Sequence, residues 1–194
     1  MLKLDNSIEI IRSVFKDRFT CRVEPLVFVD GTCGLGRDTL FLANLCRNSM
    51  VYTFDIQAEA IERAKELTCG NENIVFIHDS HHLIKNYVRS GVDGAIFNFG
   101  YLPGGDKGIV TSPMTSLEAV ISMMGILKDG GLIGLTIYPG HSSGRKEEEG
   151  IVQMLSVSDP KLWQVSVIRN PNRGPDSPYT IFIEKRSVMN EQKR

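Results

Sequence analysis

Three carboxylates stand where apolar runs of the sequence end, and carboxylate oxygens accept hydrogen bonds from cationic or hydroxyl-rich ligands. Asp30 closes one run, Asp55 closes the next run 25 positions later, and Asp79 follows a third. The carboxyl ends of neighbouring parallel strands line one crevice, so we expect the three side chains to face one ligand. The alternative is that they are solvated surface charges, which three acids at successive strand ends disfavour.

A glycine-rich loop of sequence GTCGLG joins Asp30 to a predicted helix. Glycines let a ligand approach the backbone, although a tight turn without a ligand is the alternative. A dinucleotide fingerprint would need a glycine at Thr39, and Asp30 would repel a pyrophosphate. The sulfonium and amino groups of S-adenosylmethionine suit this carboxylate better. Asp55 can accept both ribose hydroxyls, as it also could from NAD, and Asp79 can accept from an adenine amino group.

The fourth predicted strand ends in Asn98, beside the topological switch point where an acceptor group would meet a bound methyl donor. Asn98 offers a carbonyl oxygen and Tyr101 an aromatic face with a hydroxyl, which together suit a planar or amino-bearing substrate. His141 follows the fifth strand and is the histidine placed to act as a base near neutral pH. The alternative is that the glycines and proline after Asn98 are simply turn residues.

Apolar runs and amphipathic stretches alternate along the chain, which predicts βαβ units around a parallel sheet. The runs are continuously apolar, as in strands covered on both faces. The last two strands have only a turn-rich segment between them, so we expect them to be antiparallel. Strands are predicted at 26–30, 50–55, 74–78, 94–99, 131–138, 163–169 and 179–184.

Helices are predicted between the strands from apolar residues three and four positions apart. The buried stripe of one helix is expected to be Ala58, Ile61, Ala64 and Leu67. The next helix is expected to stop at Asp129-Gly130-Gly131, and its buried stripe is Leu117, Val120, Ile121, Met124 and Leu127. A third helix, 146–157, is expected to carry acids 147–149 in its first turn and to bury Ile151, Val152 and Leu155.

The predicted fold class is α/β, with a single Rossmann-like domain over residues 1–194. Its seven-stranded, mostly parallel sheet has a C-terminal antiparallel strand and helices on both faces. A leading helix is expected at about 5–20 and a disordered tail at about 187–194.

The composition excludes several classes of protein. The chain has 194 residues, of which 42% are apolar, and 22 basic against 23 acidic residues give a formal net charge of −1. This length disfavours a two-domain dehydrogenase. No apolar run could span a bilayer and the N-terminus lacks a signal peptide's apolar core, so we expect a cytoplasmic protein without a membrane partner. The near-neutral charge argues against a dedicated nucleic-acid binder.

Cysteines and histidines indicate no metal centre. The four cysteines fit no zinc or redox spacing and are expected to be reduced and mostly buried. His78, His81 and His82 cluster in the sequence, but no carboxylate stands at ligand spacing. The prediction is therefore that the protein binds no metal.

These motifs together resemble a known family. The glycine loop with Asp30 and Asp55 is similar to that of class I S-adenosylmethionine-dependent methyltransferases. More narrowly, the segments VDGTCGLGRDT, FDIQ, HDSH, FNFGYLPGGDK and IYPGH resemble small bacterial proteins catalogued as rRNA methylases. The resemblance covers about residues 25–185, and the Asn-x-Gly-Tyr-Leu-Pro run is specific to it.

The resemblance implies an activity and its partners. The implied reaction methylates the aminomethyl group of 5-aminomethyl-(2-thio)uridine at the tRNA wobble position. The implied cofactor is S-adenosyl-L-methionine, and the implied partner is the anticodon stem-loop of tRNA. A homodimer is left open.

The resemblance also implies the site residues. The donor would be held by Gly34, Leu35, Gly36, Arg37, Asp55, Gln57, Ser80 and His81, to which the strand-end argument adds Asp30 and Asp79. Asn98 and Tyr101 would position the amine, with Asp30 or His141 as its proton acceptor. The substrate would contact Tyr101, Pro103, Asp106 and Arg173. The family commonly has other residues at the positions of Leu35 and Arg37, so only their backbone contacts carry over.

A tRNA substrate needs phosphate contacts, which a chain with net charge −1 offers only if its basic residues share one face. The candidates are Lys3, Arg12, Lys16, Arg18, Arg22, Arg145, Lys146, Arg169 and Arg173. For most of them an ordinary solubilising surface is the alternative. The competing functions are methylation of rRNA or of a small amine, a nicotinamide-dependent oxidoreductase, and a non-catalytic nucleotide-binding module.

Overall fold

A seven-stranded sheet positions the site in the computed structural model, which describes residues 6–89, 91–100 and 111–187. Along the sheet the strand order is β3-β2-β1-β4-β5-β7-β6. Strands β1 to β5 pair in parallel, and β7 runs antiparallel to both β5 and β6. The strands are β1 (Leu26–Asp30), β2 (Ser49–Asp55), β3 (Ile74–His78), β4 (Val92–Asn98), β5 (Leu127–Ile137), β6 (Trp163–Ile168) and β7 (Tyr179–Lys185). The predicted fold class is confirmed.

Helices cover both faces of this sheet. The helices are α1 (Ser7–Phe19), α2 (Arg37–Ala43), α3 (Ala58–Leu67), α4 (Ile84–Tyr87), α5 (Pro113–Ile126) and α6 (Ser142–Ser156). Side chains of α1 and α2 form one buried cluster with the sheet, and side chains of α4, α5 and α6 form another on the opposite face. A 3₁₀ turn over His81–Leu83 and the short α4 follow β3, two elements that the apolar spacing did not predict.

The sheet register brings the predicted strand ends together. Asp30 at the end of β1 pairs with Ile96 in β4, which places Asn98 only two residues beyond it. Asp55 at the end of β2 pairs with His78 at the end of β3. The chain leaves β1 toward β2 on one side, while β4 lies on the other side, so the switch point falls between β1 and β4.

Helix α6 begins earlier than predicted. It starts at Ser142 because the ring of His141 caps it, accepting a hydrogen bond from the backbone N–H of Gly144. The acids 147–149 therefore lie in the second turn and not in the first, so the helix-dipole interpretation of them was wrong. Glu147 instead is buried against α5 and accepts hydrogen bonds from Thr111 and Ser116. Burial raises the pKa of the Glu147 carboxyl.

Helix α5 does not end at the predicted glycines. It ends at Ile126, and the chain turns directly into β5, where Leu127 pairs with Val92. Gly130 lies within β5 with φ of +75°, and the register of β5 against β4 shifts between Val92 and Gly94. The glycine therefore serves a strand irregularity, and the helix stops because its next residue enters the sheet.

Each predicted stripe contains both buried residues and residues that are exposed. Ile61 and Ala64 are buried in α3, but Ala58 and Leu67 are exposed. The exposed residues of α5 and α6 include Ile121 and Val152, which were expected inside. Cys33 and Cys46 are buried, whereas Cys21 and Cys69 are exposed, so the expectation of mostly buried thiols was wrong.

Candidate active site

The loop between β1 and α2 is held by Asp55. One carboxylate oxygen of Asp55 accepts the backbone N–H of Gly34 at 2.9 Å, and the other accepts the N–H of Gln57 at 2.9 Å. Gly34 has φ of +52°, a conformation that other residues rarely adopt. Burial raises the pKa of Asp55. Asp55 thus joins the glycine loop to the end of β2, where its remaining lone pairs can accept hydroxyl groups.

Gly36 is required by packing as well as by backbone conformation. Its φ is +76°, and a Cβ atom at this position would lie 2.7 Å from the Cα of Ala64 in α3. Gly31 is equally confined, because a Cβ there would lie 2.1 Å from the ring of Phe97. These glycines let α3 and β4 approach the loop closely, a role beyond the ligand access that the sequence suggested.

Asp30 lies beneath the loop and is fully buried. Its oxygens accept hydrogen bonds from the Thr39 hydroxyl at 2.6 Å and from the backbone N–H of Thr32 at 3.2 Å. Burial, together with the nearby charge of Asp38, raises the pKa of Asp30 to about 7. A cationic ligand bound at the loop would favour the charged form of Asp30, as expected. The carboxylate itself is buried and does not reach the surface of the crevice.

The turn after β3 holds Asp79, Ser80 and His81. The Asp79 carboxylate accepts the Ser80 N–H at 2.8 Å and the Tyr87 hydroxyl at 2.6 Å, and this hydroxyl lowers the pKa of Asp79. Its two oxygens therefore bond the turn itself and the helix α4 that follows it. His81 is buried, which lowers its pKa to about 4, and no described residue bonds its Nε2 atom. The neutral ring packs edge-on against Phe99.

Asn98 is held through both its backbone and its side chain. Its backbone N–H donates to the Thr32 hydroxyl at 2.7 Å, which ties the end of β4 to the glycine loop. Its side-chain Nδ2 donates to an oxygen of Asp38 at 2.7 Å. Within the described ranges, no residue donates a hydrogen bond to its buried Oδ1 atom. Asn98 thus brings an unused acceptor to the switch point.

The remaining predicted residues divide into three groups. Tyr101, Pro103 and Asp106 lie outside the described residues. Leu35 is half-buried in the loop, and Arg37 is exposed at the start of α2. His141 caps α6 through Nδ1, which accepts the Gly144 N–H at 2.9 Å, so the proton of the neutral ring lies on Nε2. In this arrangement the Nδ1 lone pair is used in the helix cap and Nε2 is a donor, which argues against the predicted role of His141 as a base.

The predicted basic face is largely neutralised by acids of the protein itself. Ion pairs occupy Arg12, Arg18, Arg22, Arg145 and Arg169. Lys16 lies over the ring of Phe41, and Lys3 lies outside the described residues. Arg173 is exposed in the turn between β6 and β7. A nucleic acid would therefore meet a few basic residues near this turn, not a continuous positive face.

Comparison with known proteins identifies the family. The family model described as "Putative rRNA methylase" matches residues 51–184. The chain belongs to this family.

Solved structures of similar proteins share the whole fold of this methylase family member. A Clostridium thermocellum protein described as a "putative rRNA-methylase" is 35% identical, with a TM-score of 0.88 over 95% of this chain and 100% of that chain. A Streptococcus mutans protein described as "a putative methyltransferase", solved in complex with SAH, is 28% identical, with a TM-score of 0.83 over 95% of this chain and 99% of that chain.

A plant relative carries a functional name. The chloroplastic tRNA (mnm(5)s(2)U34)-methyltransferase of Arabidopsis thaliana is 35% identical over 175 residues, which is 81% of this chain. The match spans 62% of the plant protein's length. The family, the fold and this relative agree with the resemblance that the sequence motifs suggested.

The described part of the chain contains neither a candidate metal site nor a candidate membrane span. No group of histidine, cysteine and acidic side chains in those residues could hold a metal ion. No helix there has the length and apolar character needed to cross a membrane.

Sequence reasoning missed the residues that hold Asn98 from below. Asp38 bonds the Asn98 amide, and Arg12 of α1 donates from Nε to the other Asp38 oxygen at 2.7 Å. A signal for Asp38 existed, because it stands four positions before the buried Leu42 and so shares the buried face of α2. No comparable signal existed for Arg12, which lies 26 positions away in the chain.

Proposed function

We propose that this protein transfers the methyl group of S-adenosyl-L-methionine to the primary amine of 5-aminomethyl-(2-thio)uridine at the tRNA wobble position. The observation that carries the proposal is the buried Oδ1 atom of Asn98, an acceptor without a partner among the described residues at the switch point of a methyltransferase sheet. A primary amine has N–H groups to donate to such an atom. The name of the plant relative supports the same substrate.

The residues at the ends of β1 and β2 suit the proposed donor. Asp55 lies where ribose hydroxyls bind in folds of this type. Asp30 places negative charge below the loop, which favours a cation bound above it. The Streptococcus mutans relative was solved with SAH, the product of this donor, and that supports the cofactor for this chain.

The chain's own contribution to the reaction is mainly positioning. When bound, S-adenosyl-L-methionine supplies a methyl group that bonds the amine nitrogen while its sulfur keeps the electron pair of the broken bond. Asn98 Oδ1 would accept one N–H of the neutral amine and so direct the nitrogen lone pair. The nitrogen becomes positively charged as the methyl is transferred, and it afterwards loses one proton. Asp30 is buried below the loop and His141 presents a donor, so we assign that proton to solvent.

Methyl transfer from labelled donor tests this function. We expect label to enter tRNA from cells that carry the aminomethyl group without its methyl, and not tRNA from cells that already have the methyl. Incorporation into rRNA or a small amine instead would show another acceptor. Calorimetry should find binding of SAH and none of NAD, and the opposite result would indicate an oxidoreductase. Donor binding without transfer to any cellular RNA would indicate a binding module.

A further inference from the structure

We infer that Arg12 and Asp38 are positioning residues that fix which end of the Asn98 amide faces the acceptor amine. The inference rests on the proposed function, because it concerns how Asn98 meets its substrate. Its basis is a chain of three side chains from α1 through α2 to the end of β4. Neither Arg12 nor Asp38 is assigned a role by the family motifs at the donor and acceptor sites.

The direction of each hydrogen bond in this chain is fixed by chemistry. The Asp38 carboxylate can only accept when ionised, and the Arg12 guanidinium can only donate. One Asp38 oxygen accepts Arg12 Nε at 2.7 Å, and the other accepts Asn98 Nδ2 at 2.7 Å. The amide must therefore turn its NH₂ group toward Asp38. Its carbonyl oxygen is left for a donor, which is what a primary amine provides.

The positions of Arg12 and Asp38 are themselves held. Asp38 is 7% exposed, and its two hydrogen bonds are the only ones recorded for its side chain among the described residues. Arg12 lies over the ring of Phe41, at 5.7 Å from its centroid, and also bonds Glu9 at 3.1 Å. A buried carboxylate needs such a cation, because its charge is costly to bury alone. The guanidinium thus compensates the charge of the Asp38 carboxylate, whose two oxygens both act as acceptors.

The single substitution Asp38→Asn distinguishes a role in orienting the Asn98 amide from a purely structural role. In Asp38→Asn, residue 38 gains an NH₂ group, and Arg12 still requires an acceptor. The new amide must then turn its oxygen to Arg12 and its NH₂ to Asn98. The Asn98 amide would flip to accept this NH₂ and would present its own NH₂ to the substrate amine, where it would donate to the nitrogen lone pair that must attack the methyl group.

The second substitution removes the reason for the flip. In the double variant Arg12→Met/Asp38→Asn, no guanidinium demands the oxygen of residue 38. That oxygen can accept Asn98 Nδ2 again, so the original orientation returns. We therefore expect the double variant to be faster than Asp38→Asn alone, whereas a purely structural role predicts that it is as slow or slower.

The measurement is the single-turnover rate of methyl transfer to tRNA carrying the unmethylated aminomethyl group, at saturating donor. We expect Asp38→Asn to lose about 30-fold in rate, because the hydrogen bond to the Asn98 oxygen is lost and the lone pair of the amine is occupied. Arg12→Met should lose about threefold, and the double variant should recover to within about tenfold of wild type. KM for the donor and the SAH affinity should stay within about twofold in all three. Glu9→Gln, which removes the charge of the second ion pair of Arg12, is the matched control and should not change the rate.

Two outcomes overturn the inference while leaving the proposed function intact. One is Asp38→Asn with a rate within threefold of wild type, and the other is a double variant that is no faster than Asp38→Asn. If Asp38→Asn fails to fold, Arg12→Met decides the question together with Arg12→Lys, which restores a cation. A slowed Arg12→Met rescued by Arg12→Lys supports the inference, and an unchanged Arg12→Met contradicts it. A wild-type protein without activity on this tRNA would instead contradict the proposed function.

Discussion

The donor side and the acceptor side of the crevice differ in how far their polar atoms are already satisfied. On the donor side, both oxygens of Asp55 and both of Asp30 accept hydrogen bonds from the glycine loop and its flanks. On the acceptor side, Asn98 keeps a buried oxygen that no described residue uses. Satisfied groups make a rigid cradle, whereas an unsatisfied one is costly unless a ligand completes it. Under the proposed function, we therefore expect the two carboxylates to act mainly in donor binding and Asn98 to act mainly in the reaction.

The largest effect should come from the acceptor side. Asn98→Ala removes the acceptor for the amine, and misplacing a nucleophile by about 1 Å can cost about 100-fold in rate. We expect a loss of about that size in the single-turnover rate with SAH affinity unchanged. Asn48→Ala, the same substitution at an exposed position, is the control. A rate within threefold of wild type would remove Asn98 from the reaction.

Substitution on the donor side should lower the affinity for SAH and leave the rate at saturating donor almost unchanged. Asp55→Asn weakens the acceptor for ribose hydroxyls and loosens the loop at Gly34. We expect SAH affinity to fall by about 10- to 100-fold, the value of one or two hydrogen bonds to a charged group. The rate at saturating donor should change by less than about threefold. Asp159→Asn alters a carboxylate that bonds its own turn in the same way and serves as control. Unchanged SAH affinity in Asp55→Asn would break the division between the two sides.

A third variant tests whether tRNA binds outside both sides. Arg173→Glu reverses a charge in the exposed turn between β6 and β7. We expect tRNA affinity to fall about tenfold at low salt, with a shallower salt dependence, and SAH affinity to stay constant. Arg63→Glu makes the same charge reversal on the exposed face of α3 and should have less effect. Equal tRNA affinity of wild type and Arg173→Glu would contradict a role for this turn.

The smallest effect concerns pH. Burial raises the pKa of Asp30 to about 7 in the empty protein, and a cationic donor lowers it again. Donor binding should therefore release a proton below about pH 7, and affinity should rise about fivefold from pH 6 to pH 8. Calorimetry in buffers of different ionisation enthalpy measures this release, and Asp30→Asn should abolish it. Proton uptake, or no exchange in wild type, would show that Asp30 does not sense the donor.

The raised pKa of Asp30 also determines how its contribution to the free energy of unfolding changes with pH. In the empty protein, folded Asp30 keeps its proton up to about pH 7, whereas the unfolded chain loses it near pH 4. The contribution of Asp30 to the free energy of unfolding should therefore fall as the pH rises from about 4 to about 7. Urea unfolding of wild type and Asp30→Asn at several pH values measures it.

The two sides also differ in how well the sequence predicted them. Most hydrogen bonds of the donor-side carboxylates are close in the chain: Asp30 bonds residues two and nine positions away, and Asp55 bonds one residue two positions away and one 21 positions away. The glycines and acids of this side follow one another, so their spacing is visible in the sequence. The parallel pairing of the first five strands follows from the same alternation of apolar runs and helices.

The acceptor side depends on contacts that no local pattern contains. Asp38 meets Asn98 across 60 positions and Arg12 across 26. The early start of α6 was missed because a histidine ring, not one of the usual capping residues, accepts the first N–H group. A count of basic residues likewise does not reveal ion pairs such as that between Arg18 and Glu184. Side-chain partners of this kind appear only once the fold brings them together.

The most direct test of the account is the identity of the methylated nucleoside. After reaction of the protein with isotopically labelled S-adenosyl-L-methionine and unmethylated aminomethyl tRNA, the tRNA is digested and its nucleosides are separated and weighed by mass spectrometry. The account predicts one labelled nucleoside, 5-methylaminomethyl-(2-thio)uridine, with the label on the side-chain nitrogen. Label on a base ring, on a ribose hydroxyl or on another nucleoside would contradict it.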